Sequence, residues 1–447
     1  MRSFTSASLL DGSGLSLALA PGLTPAGLSE SPEFFSGFAV APTVLARGLL
    51  VLADVARTRY FQPVPAGGGG SDPICTANGD RLRFEAFSAC NTVAVRLDLL
   101  AGAFDGGDIR HGTTNVDINQ PLREALGGVS PAEPMHLSVG DGGLRVSTLE
   151  ATHVERRVEL PERWLRALGP AQELSRDLTL IGQTPAVQTR QLLASLASAP
   201  GGLGHWSVSR RGVRPALRPG RGTVYAENLG RLRAARRLGQ QITGLRVYGA
   251  GDGAEAASVW ELDLPHGRLT FTLTAEYHRS FSGEGVLLPK LAARTAVEDA
   301  EAVAERLAFE PRIDVPALAA RTGLDEERVG QGLAVLAVDG RVGYDLFEGA
   351  YFHRELPSPP AGRAARVLRA NPRLKNARRL VDDGAVRPCE GHPGVYRVRG
   401  GRDDQDEYVV RTEPAGCSCR WWRRYGGARG ACKHLLAARL SQEALHD

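Results

Sequence analysis

Lysine is almost missing from this chain: only Lys290, Lys375 and Lys433 occur among 447 residues, so arginine carries nearly all the positive charge. Aromatic residues make up 6% and methionine occurs twice, which leaves aliphatic side chains to build any core. No long uncharged apolar run is present. The best stretch, Phe38 to Ala56, contains Pro42, Arg47 and Asp54, and charges of that kind are costly in a bilayer. No secretory signal is expected, because the N-terminus carries one Arg and Asp11 interrupts the only candidate apolar region. P-loop, dinucleotide and nucleophile-elbow signatures are also missing. His111 followed by Gly112-Thr113-Thr114-Asn115-Val116-Asp117 has the residue types of a polar site, but the same residues are common in turns between strands. The expectation is a protein that is not an enzyme.

Enough remains to fold. A hydrophobic content of 43% over 447 residues supports two to four domains, and 53 Gly with 27 Pro imply many turns. Cys75, Cys90 and Cys389 form no disulfide framework, so a reducing, cytoplasmic setting is expected. The fold class expected is α+β multidomain. Its segments are 1–200 (α+β, with strand-helix repeats), 201–292 (β-rich), 297–357 and 361–447.

The first segment opens irregularly, then patterns as an amphipathic helix from Thr43 to Arg59, and a Gly67–Gly70 linker follows. Leu82–Phe87 and Val93–Leu97 alternate like half-buried strands. Val116–Leu126 and Val158–Leu168 each read as strand, Pro, helix, with a weaker copy at Leu178–Leu196. Sliding-clamp domains repeat units of this sort, although ordinary α+β packing explains two short matches more simply. Further strands are expected at Gly244–Tyr248, Ser258–Leu264 and Arg268–Thr274. A basic helix, Glu227–Gln241, precedes them and carries Arg231, Arg233, Arg236 and Arg237, read as a solvated face in preference to a phosphate contact.

Residues 297–357 resemble a winged helix-turn-helix: helices at Val297–Phe309, Val315–Arg321 and Asp325–Asp339, then a wing from Val342–Phe347 and Tyr351–Arg354. Charge opposes the DNA binding that this resemblance implies. The segment holds 6 Arg and no Lys against 13 Asp or Glu, and its third helix opens Asp325-Glu326-Glu327. Such a face repels a phosphate backbone, so a scaffolding role is expected.

The strongest signal lies at the end. Cys417-Ser418-Cys419 is followed after twelve residues by Cys432-Lys433-His434. In a strand, residues i and i+2 share a side, so both sulfurs of the C-x-C pair can aim at one point while Ser418 faces away. Cys432 and His434 precede a helical run from Leu435, and the positive end of a helix favours thiolate. Strands at Val395–Val398 and Tyr408–Arg411 come first, separated by a turn that includes Asp403-Asp404. Three sulfurs and an imidazole form a tetrahedral donor set with no open position, as in structural zinc sites. Cys389 and His392 are read as an ordinary thiol and a loop residue.

This pattern resembles the SWIM-type zinc finger, in which C-x-C and C-x-H sit on a ββα unit. The resemblance covers roughly 389–441 and implies one structural Zn(2+) per chain held by Cys417, Cys419, Cys432 and His434. Residues 361–447 hold 18 Lys or Arg against 10 Asp or Glu, whereas 1–360 hold 36 against 40, so the finger is the basic part. Between the ligand pairs, Arg420-Trp421-Trp422-Arg423-Arg424-Tyr425 interleaves cations with aromatics. With Arg429 and Lys433 it forms the candidate contact surface for DNA, RNA or a protein partner. The domain order is similar to that of SWIM-finger proteins of high-GC bacteria. That likeness implies nucleic-acid or protein interaction, and an adaptor role beside an AAA ATPase or a von Willebrand A-type partner.

Overall fold

The computed structural model describes residues 9–11, 14–16, 22–24, 27–29, 33–61, 73–140, 143–156, 158, 162–196, 204–354, 362–400 and 406–445. The Gly67–Gly70 linker, Glu159–Pro161 of the second repeat copy and the Asp403-Asp404 turn lie outside them. The fold is mixed α and β with several antiparallel sheets. Among the described residues no helix is long and apolar enough to cross a membrane.

An eight-stranded sheet dominates. Its order is His111–Asn115, Ile74–Asn78, Arg81–Phe87, Val93–Leu100, Gly267–Leu273, Ser258–Leu264, Gly244–Gly249 and Thr179–Pro185. Val93–Leu100 pairs with Gly267–Leu273, so residues on both sides of position 200 share this sheet. They also share one core, which runs from Phe34 to Phe281. The first half also has a five-stranded sheet, containing Glu33–Ala39 and His136–Gly140, a three-stranded one around His205–Ser209, and two strand pairs, Leu9–Asp11 with Gly14–Ser16 and Gly22–Thr24 with Gly27–Ser29.

The helix Pro42–Arg57 follows its predicted bounds closely but is buried almost all round, not on one face. It is enclosed by the strands Arg81–Phe87 and Val93–Leu100, the helix Gln120–Gly128 and the 3-10 run Leu229–Gln241. Gly48 permits the approach to the sheet, since a Cβ there would stand 2.7 Å from the Leu97 side chain. The first repeat copy places its helix at Gln120–Gly128, where Asn119 caps the N-terminus by accepting from Leu122 N–H. The third copy is a strand, Thr179–Pro185, leading into a helix, Ala186–Ser195.

Two expectations change in kind. Arg81–Phe87 is buried at every position, so its charged residues face a second protein layer and not water. The basic helix is a 3-10 run, and its arginines serve the fold. Arg231 is fully buried and donates to the Thr92 carbonyl at 3.2 Å and the Thr274 carbonyl at 2.8 Å.

Residues 296–353 form helices Ala296–Arg306, Val315–Thr322 and Glu326–Val338, then a hairpin of Val342–Asp345 and Ala350–His353. Local chemistry explains the stops and starts. Asp314 accepts from Ala317 N–H, Gly323 turns the chain at φ 74°, and Asp325 accepts from Arg328 N–H. Glu326 and Glu327 thus occupy the first turn of their helix, where the backbone favours negative charge. The helix packs on Glu162–Arg176 and Ala296–Arg306, and Arg328 pairs with Asp299 at 2.6 Å.

The hairpin plugs into the large sheet. Asp345 receives Arg83 at 3.0 Å, Arg96 at 3.1 Å and Arg268 at 3.1 Å, while Arg83 also holds Asp98 at 2.7 Å. Arg354 pairs with Glu85 at 2.8 Å. The Arg83 guanidinium lies 3.9 Å from the centre of the Phe352 ring. A second core, from Leu287 to Ala438, then joins these helices to the C-terminal segment.

Candidate metal centre

The C-terminal segment has a four-stranded sheet ordered Val386–Pro388, Val395–Arg399, Glu407–Arg411 and Gly416–Cys417. Helices Arg363–Ala370 and Pro372–Asp382, not anticipated from the sequence, precede it, and the helix Lys433–Leu445 packs on the sheet and on Pro372–Asp382. At the C-x-C pair the expected alternation holds: Cys417 and Cys419 are buried and Ser418 is exposed. Ser418 points to the neighbouring strand, where its Oγ accepts from Val409 N–H at 3.0 Å.

Cys417, Cys419, Cys432 and His434 come together, all buried, with their donor atoms within 4.8 Å of one another. Cys417 Sγ stands 3.8 Å from His434 Nδ1. A tetrahedral site with metal–sulfur and metal–nitrogen bonds of ~2.3 and ~2.0 Å has an S···N edge of roughly 3.6 Å, so this spacing fits one ion. Cys389 and His392 are not in the cluster.

Backbone groups organise the sulfurs. Cys419 caps the short helix Arg420–Tyr425, with Trp422 N–H 3.4 Å from its Sγ, and Leu435 N–H stands 3.4 Å from Cys432 Sγ. The Cys417 side chain, then that of Cys432, donates toward Cys419 and holds it well below the ordinary thiol range. A thiolate there is the form that binds metal. His434 is fixed from behind. Its Nε2 lies 3.1 Å from the Gly400 carbonyl oxygen, and its ring stacks on Tyr408 with centroids 4.4 Å apart. Donation from Nε2 leaves Nδ1 as the ligand nitrogen. Neither partner could be read from the ligand motif, because a carbonyl acceptor has no side-chain signature. Gly400, at φ 149°, would bring a Cβ to 2.7 Å from Leu380.

The candidate contact residues separate into two groups. The stretch between the ligand pairs opens with a helix, Arg420–Tyr425. Trp421 and Trp422 are half-buried against the second core, and Arg373 lies 5.0 Å over the Trp421 ring. Arg429 is committed within the chain: it pairs with Glu276 at 2.8 Å and lies 4.1 Å over the Tyr425 ring. Lys433 is half-buried, while Arg420, Arg423 and Arg424 are exposed. Elsewhere, His111 is half-buried on an edge strand with its ring 5.5 Å from Phe309, and Thr113, Thr114 and Asn115 are buried in the sheet.

No protein-family model matches the chain, and no curated protein matches it. Among solved structures it is similar over 54% of its length to proliferating cellular nuclear antigen from Entamoeba histolytica, at 12% identity, 99% of that chain and a TM-score of 0.34. The A. fulgidus PCNA bound to the C-terminal region of FEN-1 matches over 54% of this chain and 97% of its own, at 12% identity and TM-score 0.37. The PCNA2–PCNA3 complex from Sulfolobus tokodaii matches at 11% identity and TM-score 0.37, over 54% of this chain and 100% of that chain. Superpositions this loose carry no conclusion about fold or function.

Proposed function

We propose that the protein is a zinc-binding, non-enzymatic protein of the cytoplasm whose SWIM-type finger mediates an interaction. The buried set of Cys417, Cys419, Cys432 and His434, with His434 oriented by Gly400, supports this reading above all. Zinc suits three thiolates and an imidazole, and a full set of protein ligands leaves no place for an activated water. The ion's role is to hold the C-x-C strand against the Lys433–Leu445 helix.

Arg420, Arg423 and Arg424 form the outward face of the finger in this proposal. The winged-helix-like segment acts as a bridge, since its hairpin and third helix are occupied by the rest of the chain. The partner is a nucleic acid or a protein. A protein adaptor role beside an AAA ATPase or a von Willebrand A-type protein is the second reading, favoured by the engagement of Arg429 with Glu276.

Elemental analysis should find one zinc per chain, lost in Cys417→Ser and in His434→Ala. Full metal retention in both variants would refute the site. For a nucleic-acid partner, the logarithm of affinity falls linearly with the logarithm of salt concentration, with a smaller slope in Arg423→Ala or Arg424→Ala. A partner recovered after nuclease treatment, from intact protein but not from Cys419→Ser, selects the adaptor reading.

A further inference from the structure

Several arginines of the first half gather at one place. Gln120–Gly128 packs on Pro42–Arg57, which packs on the 3-10 run Leu229–Gln241, which packs on Ala186–Ser195. Between these elements opens a cavity of about 760 Å³ lined by Arg47, Arg190, Arg236 and Arg237. Aside from Gln240, the rest of the described lining is leucine, alanine and glycine, with no carboxylate. An adjoining cavity of about 550 Å³ shares Arg236 and Arg237, adds Arg57, Arg123 and Arg233, and has Asp54 as its one acid.

Arg190, Arg236 and Arg237 are held in position. Arg236 donates to the carbonyls of Leu193, Ala194 and Leu196 at 2.6, 2.7 and 2.6 Å, closing the end of the helix Ala186–Ser195. Arg190 donates to the Ile242 carbonyl at 3.4 Å, and Arg237 and Arg123 share Asp54. Arg123 Nη1 is buried with no hydrogen-bond partner among the described residues. Arg47 makes no hydrogen bond or ion pair with any described residue. Like charges arranged around a cavity repel one another in the folded chain and concentrate anions there. The planar guanidinium fork matches phosphate oxygens.

We infer that the cavity lined by Arg47, Arg190, Arg236 and Arg237 binds a compact oligophosphate, a ligand with several phosphate groups in a row. Its volume falls within the ~300–1,000 Å³ of small-ligand sites. Four guanidiniums, of which only Arg237 has a carboxylate partner among the described residues, call for a ligand of several negative charges. Its described lining has no aromatic side chain on which a base could stack, so the phosphates carry recognition. Free inorganic oligophosphate and a nucleoside triphosphate share that chemistry.

Calorimetric titration of the full-length metal-loaded protein with tripolyphosphate tests the site, with ATP in parallel and sulfate at equal ionic strength as control. Saturable binding of one tripolyphosphate is expected. It should weaken about tenfold or more in Arg47→Ala and in Arg190→Ala, given the strength of charged hydrogen bonds, and stay unchanged in Arg423→Ala. ATP binding no tighter than tripolyphosphate identifies the free oligophosphate as sufficient, and much tighter ATP binding identifies a nucleotide. Thermal unfolding of the two cavity variants, unchanged without ligand, separates lost binding from lost fold. Absence of binding, affinity indifferent to both substitutions, or sulfate competing equally would overturn the inference. So would a short random duplex that displaces tripolyphosphate at lower phosphate concentration. The finger variant keeps this outcome independent of the finger's own partner.

Discussion

Asp345 and Arg83 are 262 positions apart in the chain, yet Arg83 Nη1 reaches Asp345 Oδ2 at 3.0 Å with both side chains out of solvent. One residue closes a hairpin that resembles a DNA-binding wing, and the other sits in the middle of the eight-stranded sheet. Their contact turns that hairpin into a plug. Burial opposes ionisation of Asp345, but Arg96, Arg83 and Arg268 outweigh it and hold its carboxyl well below the usual carboxylate range.

Asp345→Asn should therefore be among the most damaging single changes in the chain. It leaves three buried guanidiniums with only Asp98 and Glu348 to balance them, and breaking buried pairs of this kind costs ~3–5 kcal/mol. Chemical denaturation checks it, and a fall in stability below ~1 kcal/mol would show that the cluster relaxes around the loss.

His353 supplies a pH dependence. Burial, then Arg341 and His111, lowers its pKa to about 3, and its Nδ1 accepts from Phe309 N–H at 2.9 Å. An unfolded histidine titrates near ~6.5, so the unfolded state binds the extra proton between those values. The stability that His353 contributes is present above pH ~6.5 and is lost as pH falls toward 3. An imidazole NMR signal that does not titrate down to pH ~4, and a shallower acid limb in His353→Asn, are the expected results.

Gly400→Ala should weaken metal binding while sparing all four ligands. The added Cβ collides with Leu380 and displaces the carbonyl that orients His434. Loss of such an outer partner lowers affinity by roughly 10–100-fold. Competition against a chromophoric chelator measures it.

Glu276→Gln should free the Arg429 loop without loss of metal. The pair is partly exposed, so the expected effect is local and within about 1 kcal/mol. Hydrogen exchange should quicken over residues 426–431, with metal content unchanged.

The candidate metal centre was legible because its four Cys and His residues lie within eighteen residues and depend on local geometry, strand alternation for Cys417 and Cys419 and a helix start for Cys432. The three helices and hairpin expected over 297–357 lie at 296–353, and the caps Asp314 and Asp325 that start the second and third helices are equally local. What failed was any inference about what covers a surface. Arg83 and Glu85 alternate with apolar residues as they would beside water, and only the folded hairpin shows that Asp345 and Arg354 stand in its place. Arg231 and Arg236 read as a solvated or phosphate-facing row, but their partners are carbonyls, which sequence patterns do not mark. The two helices before the finger, Arg363–Ala370 and Pro372–Asp382, were missed in an arginine-rich stretch read for its charge.

The pairing of Val93–Leu100 with Gly267–Leu273 also bears on how the protein is made. During synthesis the first strand leaves the ribosome long before its partner exists. At ~5–20 residues per second the wait is on the order of ten seconds or more. Throughout that interval Val93, Val95, Leu97 and Leu99 border an open sheet edge. Yield in a cell should therefore depend on translation speed and on chaperones that shield nascent strands.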